Sequence, residues 1–183
     1  IKWAHATWAG IEPLLTTRNN YLLSNTRGVF GQLMAEFVFG YILLLEKNIL
    51  PKLENQKKHQ WDKQLPATLR GKKIGILGVG SIGSEIARFS KMFGITTYGM
   101  ARSQHQNQYI DKFFGKADAK EFCKDLDYFI CVLPNTNETR HFVDRSFLEK
   151  LPVKTILFNV GRGATVDEET LSELLINLSL IHI

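Results

Sequence analysis

Cysteine is nearly missing from this chain, with two residues, Cys123 and Cys131, among 183. So few exclude a disulfide framework and a cysteine-built zinc site, and no metal is expected. Cys131 lies inside an apolar run and reads as a small buried thiol. Long hydrophobic runs are missing too. The longest, Phe37 to Leu45, is too short to span a bilayer, so no membrane partner is expected. The chain has no internal repeat and no low-complexity segment. It begins Ile1-Lys2-Trp3-Ala4, which is neither an initiator methionine nor a signal peptide; a cytoplasmic location is the expectation, with the compartment left open because the true N-terminus is absent. Charge of one sign does not dominate. The net charge of +5 would suit nucleic acid, but lysine and arginine are spread out rather than clustered, and an anionic cofactor explains the excess equally well; no nucleic acid is expected.

What is present fits an ordinary globular protein, 44% hydrophobic and 22% charged. The length suits one sizeable core, or one domain plus part of another. The stretch from Lys72 to Arg102 organises it. Lys72 to Leu77 is a short apolar run with β-branched residues and predicts a buried strand. Gly78-Val79-Gly80-Ser81-Ile82-Gly83 follows directly. Apolar Ile86, Ala87, Phe89 and Phe93 then recur at helical spacing, and Gly94 closes the helix. Ile95 to Met100 is a second strand. A glycine turn between strand and helix is where a dinucleotide-binding motif must sit. Gly78 permits the tight turn, Gly80 lets the backbone approach a pyrophosphate, and Gly83 lets helix and strand pack closely. The helix N-terminus offers amide N–H groups and a positive dipole end to the phosphates.

Around this unit, Ile1 to Ala4 resembles a strand, and Thr7 to Gly10 a loop leading to a short helix from Glu12-Pro13. Tyr21 to Gly28 reads as a strand and a connection. Val29 to Asn48 predicts a long helix, apolar on nearly every side, which suggests burial between domains or subunits. Pro51 starts a polar, lysine-rich helix to about Lys63, and Leu65 to Gly71 turns into the glycine strand. After a polar loop, Ser103 to Asn107, come a short helix at Lys120 to Asp125 and a strand, Leu126 to Leu133. Arg145 to Lys150 is a helical turn and Thr155 to Asn159 a strand. The last helix, Asp167 to Ile176, is capped by Asp167 with Glu168 and Glu169 in its first turn. Alternating strands and helices predict an α/β fold, a doubly wound parallel sheet of the Rossmann type.

In such sheets ligands bind at the carboxyl ends of the strands. Four strands end here in unusual residues: Gly78, Ala101-Arg102, Pro134-Asn135-Thr136 and Gly161-Arg162-Gly163. An arginine held between glycines can clamp a carboxylate with two hydrogen bonds, although position alone does not separate that role from a solvated surface arginine. The end of the second strand usually carries an acid for the ribose hydroxyls. Here that place holds Ala101, followed by Arg102 and Ser103. A 2′-phosphate meets no repulsion there, and charge-assisted hydrogen bonds of roughly 1.5–3 kcal/mol predict about a 10- to 100-fold preference for NADPH over NADH.

Ile76 to Arg102, Val132 to Thr139 and Phe158 to Leu171 resemble the D-isomer-specific 2-hydroxyacid dehydrogenases, most closely the glyoxylate/hydroxypyruvate reductase branch. Asn159-Val160-Gly161-Arg162-Gly163 followed by Val166-Asp167-Glu168 is the most specific part of the likeness. The resemblance implies that Arg162 is the substrate-binding, catalytic arginine. It implies cofactor contacts at Ser81, Ile82, Leu133, Pro134, Thr139, Val160 and Gly161, and backbone contact with the substrate carboxylate at Trp8, Ala9 and Gly10. It implies a homodimer through the helix from Val29. It further implies residues 1–27 as part of a flavodoxin-like substrate domain, truncated here, 28–177 as the dinucleotide-binding domain, and 178–183 as a tail foreign to the family. The family's catalytic glutamate and histidine would lie beyond Ile183. His5, His59, His105, His141 and His182 read as ordinary polar residues. The expected reaction is reduction of a small 2-oxo acid such as glyoxylate or hydroxypyruvate, the chain alone being an inactive fragment. The alternative is a corepressor-like module that senses the dinucleotide without turnover.

Overall fold

The computed structural model describes residues 1–8, 10–11, 14, 20–102, 106–176 and 181–182. The expected helix from Glu12, the substrate contact at Ala9 and the cofactor contact at Ser103 lie outside the described residues. Two sheets form. Strands β1 (Trp3–Ala6) and β2 (Leu22–Asn25) pair in parallel as a sheet of their own. The other strands are β3 (Lys73–Leu77), β4 (Thr96–Met100), β5 (Lys112–Phe114), β6 (Tyr128–Cys131), β7 (Ile156–Asn159) and β8 (Ile181–His182). They make a six-stranded sheet in the order β5-β4-β3-β6-β7-β8. Every pairing in it is parallel.

Strand alternation divides the interior into two cores. Ile74, Ile76, Tyr128, Ile130, Ile156 and Phe158 face one side of the sheet. There they meet helices α1 (Gly31–Glu46) and α3 (Ser81–Met92), through Ala35, Val38, Phe39, Ile42, Ile86 and Ala87. Leu77, Phe129, Cys131 and Leu157 face the other side. They pack on α4 (Ala119–Cys123), α5 (Arg145–Leu148) and α6 (Glu168–Ile176), through Phe122, Cys123, Phe147, Leu148 and Leu171. Helices on both faces of a parallel sheet are the doubly wound arrangement. Gly75 exists because of this packing: a Cβ there would sit 2.5 Å from Leu126 Cδ1 and 3.0 Å from Phe122 Cζ.

Several elements differ from expectation. Helix α1 is buried along one side only; Leu33, Phe37 and Tyr41, one helical turn apart, are exposed in the single chain. Asn48, in the left-handed region at φ 51°, breaks the chain before α2 (Ile49–Lys57). Helix α2 stops six residues before Lys63. It has no buried residue to reward extension, the Lys58 N–H closes onto the Glu54 and Asn55 carbonyls, and His59 turns to φ 54°. Strand β5 was not foreseen, because three residues are too few to display a period. Asp167 does cap α6: its Oδ1 accepts the Thr170 N–H at 3.1 Å.

Candidate functional site

The strands end on one row. In register, Phe114, Met100, Leu77, Cys131 and Asn159 lie side by side across β5, β4, β3, β6 and β7. The next residues therefore leave the sheet together: Gly115, Ala101, Gly78, Val132 and Val160. This shared edge brings together residues from five loops far apart in sequence.

Two of the loops close on Val132-Leu133. Gly78 turns at φ +100°, and its N–H donates to the Met100 carbonyl at 2.8 Å. A Cβ on Gly78 would lie 3.0 Å from the Val132 carbonyl oxygen. From the opposite side, a Cβ on Gly161 would lie 2.5 Å from the Leu133 carbonyl oxygen and 2.9 Å from its nitrogen. Both distances are against backbone, which has no rotamer to yield. Gly83 is tighter still, its Cβ position only 2.2 Å from the Gly78 oxygen. The expected seating of helix on strand is thus a backbone-to-backbone contact.

Gly80 behaves in the opposite way. It is the residue before α3, with an extended backbone, and a Cβ there would meet nothing within 4 Å. It supplies no side-chain cap, and the first turn of α3 carries no acid. Ser81 is exposed and Ile82 half-buried against the core. Among the described residues no side chain caps this helix N-terminus, a setting that favours an anion.

Beside it lies a cleft of about 350 Å³, lined in part by Leu77, Met100, Ala101, Arg102, Leu133 and Thr139. Gly115, Lys116, Glu138 and Phe142 complete its wall; none of these four was singled out from the sequence, since only folding brings their loops to β4. Thr139 stiffens the rim. Its hydroxyl donates to the Pro134 carbonyl and accepts the Thr136 N–H at 2.8 Å, leaving Pro134 exposed at the edge. Arg102 is exposed and pairs with Glu138, Nη1 to Oε2 3.0 Å.

The Arg162 loop is held by its own residues. The Arg162 carbonyl accepts from Asn159 Nδ2 at 3.0 Å, Thr165 Oγ1 at 2.6 Å and the Thr165 N–H at 3.0 Å. Asn159 Oδ1 accepts the Gly161 N–H at 3.1 Å, and Arg162 Nη1 donates to the Gly161 carbonyl at 3.0 Å. Of the flanking glycines only Gly161 is demanded by backbone. At Gly163 a Cβ meets the flexible end of Glu168. Asn159 belongs to the run singled out from the sequence, but its hydrogen bonds, and those of Thr165, appear only in the folded loop. The half-buried Arg162 guanidinium is thus carried on a rigid turn. Trp8 is exposed and Gly10 half-buried, and neither lines the 350 Å³ cleft.

Cys131 lies beneath this loop, its Sγ 3.5 Å from Thr165 Oγ1, and burial pushes its thiol up despite that contact. Cys123, on the same core, is pushed up to about 12 by burial, with Lys150 opposing. Both thiols are buried, as read for Cys131, and neither is a nucleophile at neutral pH. Among the described residues no cluster of His, Cys, Asp and Glu could hold a metal, and no helix is long and apolar enough to cross a membrane.

Comparison with known proteins agrees with this architecture. Glyoxylate reductase of Aeropyrum pernix is 32% identical over 168 residues, 86% of this chain and 50% of its own. The crystal structure of a D-isomer specific 2-hydroxyacid dehydrogenase family protein from Aeromonas salmonicida superposes with a TM-score of 0.93 at 36% identity, covering 98% of this chain and 59% of that one. A D-isomer specific 2-hydroxyacid dehydrogenase from Xanthobacter autotrophicus, solved in complex with NADPH and MES, gives 0.84 at 25% identity, covering 98% and 58%. The chain spans about half the length of the curated relatives it matches. The family model described as D-isomer specific 2-hydroxyacid dehydrogenase, NAD binding domain, matches residues 39–182, and by that match, on a sheet whose loops converge as described, the chain belongs to the D-isomer-specific 2-hydroxyacid dehydrogenases.

Proposed function

We propose that this chain supplies the dinucleotide site and the substrate arginine of a reductase acting on a small 2-oxo acid such as glyoxylate or hydroxypyruvate. The observation that carries this reading is the convergence of the Gly78 and Gly161 loops on Val132-Leu133. Through it, the open N-terminus of α3, the Arg102 cleft and the Arg162 turn share one rim. The residues fit the cofactor. Open space at Gly80 and the uncapped first turn suit a pyrophosphate. The cleft suits the adenosine, and Arg102 its 2′-phosphate.

When bound, the nicotinamide dinucleotide supplies the hydride. The chain's own residues bind and orient. Gly78, Gly80, Ser81, Ile82 and Gly83 hold the phosphates; Leu133, Pro134, Thr139, Val160 and Gly161 shape the nucleoside side. Arg102 and Ser103 favour NADPH. Arg162 clamps the substrate carboxylate and polarises the neighbouring carbonyl, which the fixed Asn159–Thr165 turn keeps in place. Trp8, Ala9 and Gly10 meet the same carboxylate through backbone, as part of a substrate domain begun by residues 1–27. A second copy covers Leu33, Phe37 and Tyr41 of α1, making a homodimer.

The test is titration of the chain with NADPH and NADH at fixed ionic strength, with Ala101→Asp and Arg102→Ala beside the parent sequence. Both variants should move the affinity ratio towards NADH. If neither moves it, Arg102 is not the 2′-phosphate ligand; if neither dinucleotide binds the parent chain, the reading as a whole fails. Arg162→Lys keeps the charge and loses the planar fork. It should leave dinucleotide affinity unchanged and weaken 2-oxo acid binding to the NADPH complex.

A further inference from the structure

Arg102 and Glu138 come from opposite walls of one cleft. Arg102 follows β4, and Glu138 lies in the loop after β6, with β3 between the two strands. Their side chains meet across it, Nη1 to Oε2 3.0 Å, and both line the 350 Å³ space behind them. Among the described residues each is the other's ion-pair partner. The backbone beneath Glu138 is fixed, because the Thr139 hydroxyl ties Thr136 to Pro134. The side chains are free to part: they are 89% and 74% exposed, and a pair so exposed is weak and screened by water.

We propose that Glu138 sets the cofactor selectivity of this site, its carboxylate competing with a 2′-phosphate for the Arg102 guanidinium. The inference rests on the dinucleotide reading above. A 2′-phosphorylated nucleotide entering the cleft must either displace Glu138 from Arg102 or share the guanidinium with it. In both cases two anions are brought close and part of the arginine's attraction is lost. A nucleotide with a free 2′-hydroxyl meets no such competition. Glu138 therefore lowers the NADPH preference that Ala101 and Arg102 create, and keeps NADH within reach of the same site.

The experiment uses the chain itself and two fragments that need only the adenosine cleft, 2′,5′-ADP and 5′-AMP, titrated calorimetrically at low, fixed ionic strength. Glu138→Gln should tighten 2′,5′-ADP about two- to fivefold, the range an exposed ion pair commands, and leave 5′-AMP unchanged. In an Arg102→Ala background the same substitution should give a smaller gain, because the group competed for is gone. An unchanged 2′,5′-ADP affinity in Glu138→Gln, or an equal gain for 5′-AMP, overturns the proposal while nucleotide binding by the parent chain still stands. Absence of binding of either fragment to the parent chain overturns the dinucleotide reading, and this proposal with it.

Discussion

The two ends of the six-stranded sheet are built from different materials. The amino end is closed by side chains. Glu46 Oε1 accepts from Lys72 Nζ and from the Tyr128 hydroxyl, each at 2.7 Å. Asp127 accepts the Lys73 N–H at 2.8 Å, Asp111 accepts the Thr97 N–H at 2.7 Å, and the Thr155 hydroxyl donates to the Leu126 carbonyl at 2.8 Å. The carboxyl end adds backbone contacts to its side-chain ties at Thr139, Asn159 and Thr165: glycines pressed against Val132, Leu133 and Gly78, and a helix that Gly80 leaves without a side-chain cap. Among the described residues the amino end carries buried and half-buried side-chain anchors, and the carboxyl end carries close glycine contacts and an N-terminus of α3 without a side-chain cap. Stability and binding thus draw on opposite ends of the same strands, and substitutions should separate them.

The largest loss of stability is expected from Gly83→Ala. A methyl 2.2 Å from the Gly78 carbonyl oxygen cannot be relieved by a side-chain rotation, so helix α3 must lift from the sheet. The cost is about 3 kcal/mol or more, read by urea unfolding. A cost below about 1 kcal/mol would mean that α3 is not seated on the glycine turn. Next comes Glu46→Ala at the amino end. It deprives the fully buried Tyr128 and the half-buried Lys72 of their shared acceptor, and an unsatisfied buried donor costs about 1–3 kcal/mol. Nucleotide affinity, which belongs to the other end, should not follow. Were it to fall in step with stability, the separation of the two ends would be lost.

How much of this was legible in the sequence follows from the same contrast. The glycine turn, the apolar run to Leu77 and the run around Arg162 are local patterns, and with the ends of the other two strands they pointed to β3, α3, the doubly wound sheet and four of the five converging loops. Partners across loops are not local. Nothing near Glu138 points to Arg102, 36 residues away, and nothing near Glu46 points to Tyr128, 82 away. Helix α2 ended early for lack of a surface to bury, which its own polar sequence does not disclose. The exposed side of α1 was likewise invisible: a helix apolar all round does not say which side its own chain will cover.

Acid should weaken the amino end through a smaller effect. Burial opposes the charge of Asp111 most strongly, but the Lys91 ammonium, the Thr97 N–H and the Thr97 hydroxyl outweigh it and hold the carboxyl below its usual range. A depressed folded value means that this stabilisation is complete above the ordinary carboxylate range. It drains away as pH falls through the folded value. Asp111→Asn should cost about 1 kcal/mol at neutral pH, discounted for its partial exposure, and flatten the acid limb of the stability profile. An unaltered acid limb would assign acid sensitivity elsewhere.

The smallest change in stability, and the sharpest separation, should come from Gly80→Ala. Gly80 has φ −90° and ψ −158°, extended backbone that alanine adopts without strain. Among the described residues, no atom beyond its own chain neighbours lies within 4 Å of the added methyl. Folding stability should therefore stay within about 0.5 kcal/mol of the parent chain, three residues from a glycine whose replacement is severe. The methyl nevertheless occupies the open space before the first turn of α3, where the backbone must approach a pyrophosphate. NADPH affinity should fall at least about tenfold, or 1.4 kcal/mol, with the urea midpoint unmoved. A variant that folds and binds NADPH as tightly as the parent chain would show that the space at Gly80 is not where the phosphates rest, and the helix N-terminus would lose its claim to the site.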